Sequence, residues 1–327
     1  MVYIALPDET QHRLSFYLAM EEYLARYIDC DDCFFMWQVQ PSVIFGRNQL
    51  IEAEVNVNYC KEHGIQMFRR KSGGGCVYAD MNNVMFSYVT KDESVNFTFN
   101  KYINMVVAML QKLGVDAKAT GRNAVLIDNR KVSGNAFYHL PGRSIVHGTM
   151  LYDTNMQNMV GSITPSDTKL ISRGIQSVRQ RIALLKDYID ISLDDFKHFV
   201  KENLCDKEFR LTQQDVVGIK NIEKEYLVDD FIYGNNPRCT ILRKGRIDGV
   251  GDMEARIEMK GDRIKNITIL GDFFIVGDID KNITHPLHNV KLAENDIVDA
   301  LPNRLDDVIM NLKRNDFVDL LLKGKAD

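Results

Sequence analysis

The sequence predicts an α+β protein: a larger domain with a mixed or antiparallel sheet and flanking helices, then a small α+β domain. Three observations carry this expectation. Segments of alternating apolar residues are interleaved with segments of helical period across the first 230 or so positions. A Gly-, Asn- and Pro-rich joint, YGNNPRC at 233–239, is followed by a change of character. The 327 residues are 45% apolar and 26% charged, with no internal repeat, which suits an ordinary globular chain with ample core.

After Pro7 a helix is expected from about Glu9 to Ile28, because Leu14, Tyr17, Leu18, Leu24 and Ile28 fall on one face. FFMWQVQPSVIFGR reads as two short strands broken at Pro41-Ser42. QMFRRK enters a glycine triplet as a strand, and NVMFSYV leaves it as another. Asn100 to Leu113 is an amphipathic helix through Ile103, Val106, Val107 and Leu110, stopped at Gly114. AVLIDNRKVSGNAF reads as a hairpin turning at Asp128-Asn129, and SIVHGTMLYD as a further strand. Helices follow at about 193–204, behind Ser192 and Asp195, and at about 213–226, behind Thr212 and Asp215. In the second domain, expected over 241–327, a hairpin turns around Lys260-Gly261-Asp262, with Ala255, Ile257 and Met259 alternating before it and Ile267 and Ile269 after it. A terminal helix is expected to carry Leu305, Val308, Ile309, Leu312, Leu320 and Leu321.

The net charge of −4 argues against a nucleic-acid-coating protein. No apolar run is long enough to span a bilayer, and MVYIALPDETQHR lacks a basic region followed by an apolar one, so a cytoplasmic enzyme with no nucleic-acid or membrane partner is expected. Cys30 and Cys33 form a C-x-x-C, and Cys60 with His63 a C-x-x-H. The gap between the pairs is longer than zinc sites use, and Cys33 opens an apolar strand, so reduced and mostly buried cysteines are the better reading.

RRKSGGGCVYAD, residues 69–80, sets three cations beside bare backbone. It lacks the lysine and the following helix of a Walker loop, and the strand-to-helix context of a dinucleotide fingerprint. What remains is a strand–loop–strand element whose amides accept a nucleotide phosphate, with Arg69, Arg70 and Lys71 offsetting charge, or a plain tight turn. Two further stretches place small residues near strands with a polar group on each: GRNAVLIDNRKVSGNAF, which carries Lys131, and SIVHGTMLYD, which carries His147. Three such loops read as walls of one site. Taken singly, Lys131 is a solvated strand-edge lysine and His147 a satisfied core histidine.

Together these residues resemble the lipoate–protein ligases, relatives of the biotin ligases. The family's signature is an Arg-Arg-x-Ser/Thr-Gly-Gly-Gly loop, then Lys-hydrophobic-Ser-Gly-x-Ala, then His-Gly-Thr. Here these stand at Arg69–Gly75, Lys131–Ala136 and His147–Thr149. An early Val-Ile-Gly-Arg-x-Gln element matches Val43 to Gln49, and a later Ser-Val-x-x-Arg matches Ser177, Val178 and Arg181. The resemblance covers residues 1 to about 240, with the tail resembling the family's accessory domain.

The resemblance implies an ATP or adenylate site of Arg70, Ser72, Gly73, Gly74, Gly75, Cys76, Val77, Tyr78, Asp80, Asn83, Asn123 and Lys131. It implies that lipoate lies against Val43, Phe45, Arg70, Lys131, Ser133, Gly134, Ala136, His147, Gly148 and Thr149, with Val146 nearby. Lys131 would be the catalytic cation. Where the family has a histidine and an acid, this chain has Ala79 and Ala124, which weakens the magnesium site and leaves Asp80 and Asn123 as the metal's candidate ligands. ATP and Mg2+ are the implied cofactors, lipoate or octanoate the acid. The implied partners are lipoyl domains of 2-oxoacid dehydrogenases or the glycine-cleavage carrier protein. Two other activities remain open: an acyl transferase working without ATP, for which GRNAVLID lacks the cysteine nucleophile and Cys76 reads as a packing residue, and a sensor that forms the adenylate without transferring it.

Overall fold

The computed structural model describes residues 1–91, 95–120, 123–163, 179–234 and 239–324. The chain forms two compact units. The first is Met1–Phe45, Ile51–Arg70 and Val77–Ile232; the second is Tyr233–Asp327 together with two earlier loops, Gly46–Leu50 and Lys71–Cys76.

The first unit is built on an eight-stranded mixed sheet. Its members are β1 (Val2–Ala5), β2 (Asp32–Trp37), β6 (Val84–Thr90), β7 (Ala117–Ala119), β8 (Ala124–Ile127), β9 (Arg130–Leu140), β10 (Arg143–Met150) and β11 (Lys207–Arg210), in spatial order β11-β1-β2-β6-β10-β9-β8-β7. The pairs β1–β11 and β1–β2 are parallel and the others antiparallel. A three-stranded sheet holds β3 (Ser42–Phe45) between β4 (Gln66–Arg69) and β5 (Val77–Ala79). The glycine loop therefore does run from strand to strand. The strand that leaves it is β5, however, a three-residue element too short to show a period, and not NVMFSYV, which is β6.

One face of the large sheet carries α1 (Leu14–Tyr27) and the helix Gln213–Tyr226; their side chains share a core with Phe35, Trp37, Met85, Val89 and Ile145. α1 begins at Leu14, five residues later than expected. Asp8 accepts the Thr10 amide at 2.9 Å and the Gln11 side chain holds the Gln38 carbonyl at 2.9 Å, which keeps the lead-in extended. The helices at Leu193–Leu204 and Gln213–Tyr226 stand where their caps predict: Ser192 Oγ accepts the Asp195 amide, and Thr212 with Asp215 closes a capping box. Gly114, at φ +79°, ends the helix Val95–Lys112 as expected.

The second unit holds a meander of β12 (Ile241–Ile247), β13 (Gly251–Lys260) and β14 (Arg263–Gly271), one face of which packs Ala255, Ile257, Ile267 and Ile269 against Leu305, Leu312 and Leu321. The expected terminal helix is half right. Arg314–Lys323 is helical, but Leu305 to Leu312 is a series of turns, ended by Asn311 at φ 63°. The Val308 carbonyl there accepts the amides of Val276 and Gly277, and Met310 donates to Phe274, so tertiary backbone bonds replace helical ones. Among the described residues no helix is long and apolar enough to cross a membrane.

Candidate active site

β8 and β9 form a hairpin whose turn residues, Asp128 and Asn129, have φ of 50° and 60°, the left-handed region that these two types tolerate best after glycine. Ile127 pairs with Arg130 and Leu126 with Lys131, but Val125 pairs with Ser133. Val132 is the extra residue of a β-bulge. In a regular strand, residues three apart point to opposite faces; one extra residue puts Lys131 and Gly134 on the same face. A Cβ on Gly134 would stand 2.5 Å from Lys131 Cε and 2.6 Å from its Nζ. Glycine at 134 thus makes room for the lysine's own stem. The lysine's backbone is held from a second direction: its N–H donates to the Arg181 carbonyl at 2.8 Å, and its carbonyl accepts from Ala183 at 2.9 Å. Ser177 and Val178, the rest of that element, lie outside the described residues.

Gly134 pairs with Thr149 and Ala136 with His147, so both share the lysine's side of the sheet. His147 is buried, and its Nδ1–H donates to the Glu21 carboxylate at 2.8 Å, a tautomer assigned because a carboxylate only accepts. Glu21, fully buried on α1, also accepts from Ser87 Oγ at 2.5 Å, and Ser87 in turn accepts from Trp37 Nε1 at 2.9 Å. Sequence reading passed over Glu21, Ser87 and Trp37. The available signal was an acid pair, Glu21-Glu22, inside an otherwise apolar helical run.

Val43 and Phe45 are buried on the face of β3 opposite Ile44. Ile44 between them joins the core that holds Trp37, Met85 and Ala79, and strand alternation turns its neighbours away. Phe45 sits under the Arg69 guanidinium, 4.7 Å from its ring centre. Val146 likewise faces away from His147.

Arg69 donates from Nε to the carbonyls of Phe231 and Ile232 at 2.7 and 3.1 Å. Burial pushes its guanidinium down to about 10, opposed by the Glu52 carboxylate, so it stays charged at neutral pH. Its Nε thereby holds the end of the helix Asp229–Tyr233. Arg70, also buried, donates to the Ile44 carbonyl at 3.0 Å. Asp80 accepts the amides of Asn82 and Asn155, each at 2.9 Å, one on each oxygen. Asn83 bridges the Asp80 amide and the Asp153 carbonyl at 3.3 and 2.7 Å. These two residues tie the β5–β6 turn to the end of β10. Burial, with Asp80 nearby, pushes the Tyr78 phenol up. Asn123 donates from Nδ2 to the Asn135 carbonyl at 3.0 Å. Ala79 and Ala124, at the two departures from the signature, are buried. Ala124 is the register partner of Gly134, so an acid there would stand on the lysine's side of the hairpin. Among the described residues no three His, Cys, Asp or Glu side chains gather as a metal-binding group. Both Asp80 carboxylate oxygens are bonded to amides, and alanine stands at 124.

In the second unit, the loops Gly46–Leu50 and Lys71–Cys76 are joined by the Arg47 amide to the Ser72 carbonyl at 2.9 Å. Gln49 Oε1 accepts the Gly46 amide at 2.8 Å. Gly74 donates to the Phe273 carbonyl at 3.1 Å, and Gly271 to the Asn48 carbonyl at 2.9 Å. A Cβ on Gly73 would stand 2.3 Å from the Phe273 carbonyl oxygen, whereas one on Gly75 would meet nothing nearer than 3.9 Å. The first glycine admits neighbouring backbone; the third leaves open approach. Cys76, half-buried, closes this loop.

Lys131, Gly134, His147 and Thr149 thus share one face of the mixed sheet. The family profile "Lipoyl protein ligase A/B catalytic domain" matches residues 14–205, and "Bacterial lipoate protein ligase C-terminus" matches 236–321. The chain belongs to the lipoate–protein ligase family and is a ligase. It is 34% identical over 317 residues to the lipoate-protein ligase LplJ of Bacillus subtilis, covering 93% of this chain and 95% of that one. It is 33% identical over 271 residues to lipoate–protein ligase 1 of Staphylococcus aureus, covering 80% and 82%. Among solved structures, the bipartite lipoate protein ligase of Thermoplasma acidophilum, studied with its E2 lipoyl domain, has a TM-score of 0.65 at 27% identity, over 74% of this chain and all of that one. LipL1 of P. falciparum, solved with lipoate, shares the fold over 98% of both chains, with a TM-score of 0.74 at 20% identity.

Proposed function

We propose that this ligase joins lipoate, with octanoate as a second acid, to ATP and then to a lysine of a lipoyl domain. A carboxylate oxygen attacks the α-phosphorus, pyrophosphate leaves, and an acyl-adenylate results. The acceptor's amine then attacks the acyl carbonyl, AMP leaves with the bonding electrons, and an amide remains. Both steps build negative charge at the acyl-phosphate junction, where a placed cation lowers the barrier most. The observation that carries this reading is the placement of Lys131: a bulge turns its ammonium across Gly134, to the side of the sheet that holds Thr149 and His147. On this reading its compact charge serves both half-reactions. Arg70 holds the nucleotide, and the apolar chain lies along the side of the sheet that carries Ala136 and Thr149.

Support comes from a lipoate-protein ligase A solved with ATP, which shares the fold with a TM-score of 0.62 at 24% identity, and from the Thermoplasma ligase's lipoyl-domain partner. The acceptors proposed here are lipoyl domains of 2-oxoacid dehydrogenases and the glycine-cleavage carrier protein. The test supplies free lipoate and a purified lipoyl domain, with and without ATP, and follows the mass of the acceptor. The expected result is a lipoyl mass increment and AMP release only with ATP. Labelling that is independent of ATP, or an adenylate that forms and is never transferred, overturns the reading.

A further inference from the structure

The bulge that aims Lys131 must be pinned, because a one-residue slip of β9 on β8 returns the lysine to the opposite face. On the turn side, Arg130 and the Arg181–Ala183 bonds hold it. On the other side, the contacts converge on Asn135. Its backbone N–H donates to the Asn123 carbonyl at 2.9 Å, its Nδ2 donates to the same carbonyl at 3.2 Å, and Asn123 Nδ2 returns a bond to the Asn135 carbonyl at 3.0 Å. The Asn135 side chain is 3% exposed, and its Oδ1 accepts from Ser133 Oγ at 3.3 Å. It also lies across the neighbouring strand: a Cβ on Gly148 would stand 1.9 Å from Asn135 Oδ1. One carboxamide therefore links the segment before β8, the lysine's strand and the His-Gly-Thr strand.

We infer that Asn135 is a positioning residue for Lys131, fixing the register of the bulge from the face opposite the lysine. The inference deepens the proposed function and rests on its assignment of Lys131. Ser133, by the same geometry, serves this polar lock from a buried position and does not line the acyl site.

The test compares Asn135→Ala, Asn135→Asp and Lys131→Ala in the ATP-dependent lipoylation assay. Both Asn135 variants are expected to lose roughly tenfold or more in kcat, the scale of a displaced catalytic group, with KM for ATP and lipoate within about twofold. Acylation of Lys131 by a small amine-reactive ester, read by mass spectrometry against Lys118 as internal standard, should change about threefold or more in Asn135→Ala. A variant with normal kcat and normal Lys131 labelling overturns the inference, as does a loss confined to KM. Should Asn135→Ala fail to fold, Asn135→Ser is read by the same two measurements, and normal kcat with normal Lys131 labelling in it overturns the inference. Normal activity in Lys131→Ala would sink the assignment of the lysine itself, whereas an inactive Lys131→Ala beside a normal Asn135→Ala sinks only the role given to Asn135.

Discussion

Two hairpins in this molecule, one in each unit, carry a β-bulge at the same distance from different turns and aim different side chains. In β8–β9, the residue pairs after the turn are Ile127 with Arg130 and Leu126 with Lys131, and Val132 is extra. In β13–β14, they are Lys260 with Arg263 and Met259 with Ile264, and Lys265 is extra. Both bulges come three residues beyond the turn, and both bring residues three apart onto one face. In the second unit those are Ile264 and Ile267, both buried in the core. In the first they are Lys131 and Gly134. A bulge supplies only an aim; the side chain at its target decides whether the result is packing or chemistry.

The sharpest way to break this comparison is to truncate each target. Ile264→Ala should destabilise the second unit by about 2–5 kcal/mol in chemical denaturation, as a buried branched side chain lost from a packed core does. A change under about 0.5 kcal/mol would mean that the residue is not buried as described. Lys131→Ala should do the converse, lowering ligation about 100-fold, or about 2.7 kcal/mol in activation free energy, with stability near that of the parent. Near-normal turnover would remove the distinction between the hairpins. Next in size is Gly134→Ala, whose methyl must displace the ammonium. Roughly tenfold less activity, about 1.4 kcal/mol, is expected in steady-state kinetics, with an unchanged melting temperature. The smallest effects lie in the turns. Gly261, at φ +65° with nothing within 4 Å of a Cβ, should lose about 1 kcal/mol as alanine and less as asparagine, since the cost is conformational alone. Asn129→Gly, at φ 60°, should be neutral within about 0.5 kcal/mol. A larger loss there would show that the Asn129 side chain, and not its backbone, matters.

The comparison also marks what the sequence could show. Turn chemistry is local, so Asp128-Asn129 and Gly261-Asp262 were legible, as were the caps at Ser192 and Thr212. The motif residues were legible because their types are uncommon in combination. The bulges were not, because a bulge is a property of pairing between strands. Ile264 stood out of phase with Ile267 and Ile269, and that was a usable sign; at Lys131 no apolar residue recorded the phase. At β3 alternation fixes only that Val43 and Phe45 oppose Ile44; which face packs on which core is a property of the other strands. Glu21 was missed because its partner, His147, is 126 residues away.

The bond between Gly74 and Phe273 has one further bearing. An amide carries a single hydrogen, so while the Phe273 carbonyl holds it, a phosphate oxygen has no claim on it. Any nucleotide that draws on Gly74 must first pull the loop off the 271–274 segment, and its measured affinity will be lower by the fraction of molecules still clasped there. If the nucleotide binds in that way, the tail of this chain competes with it for one amide hydrogen, and shortening the tail alters the binding curve as well as the fold.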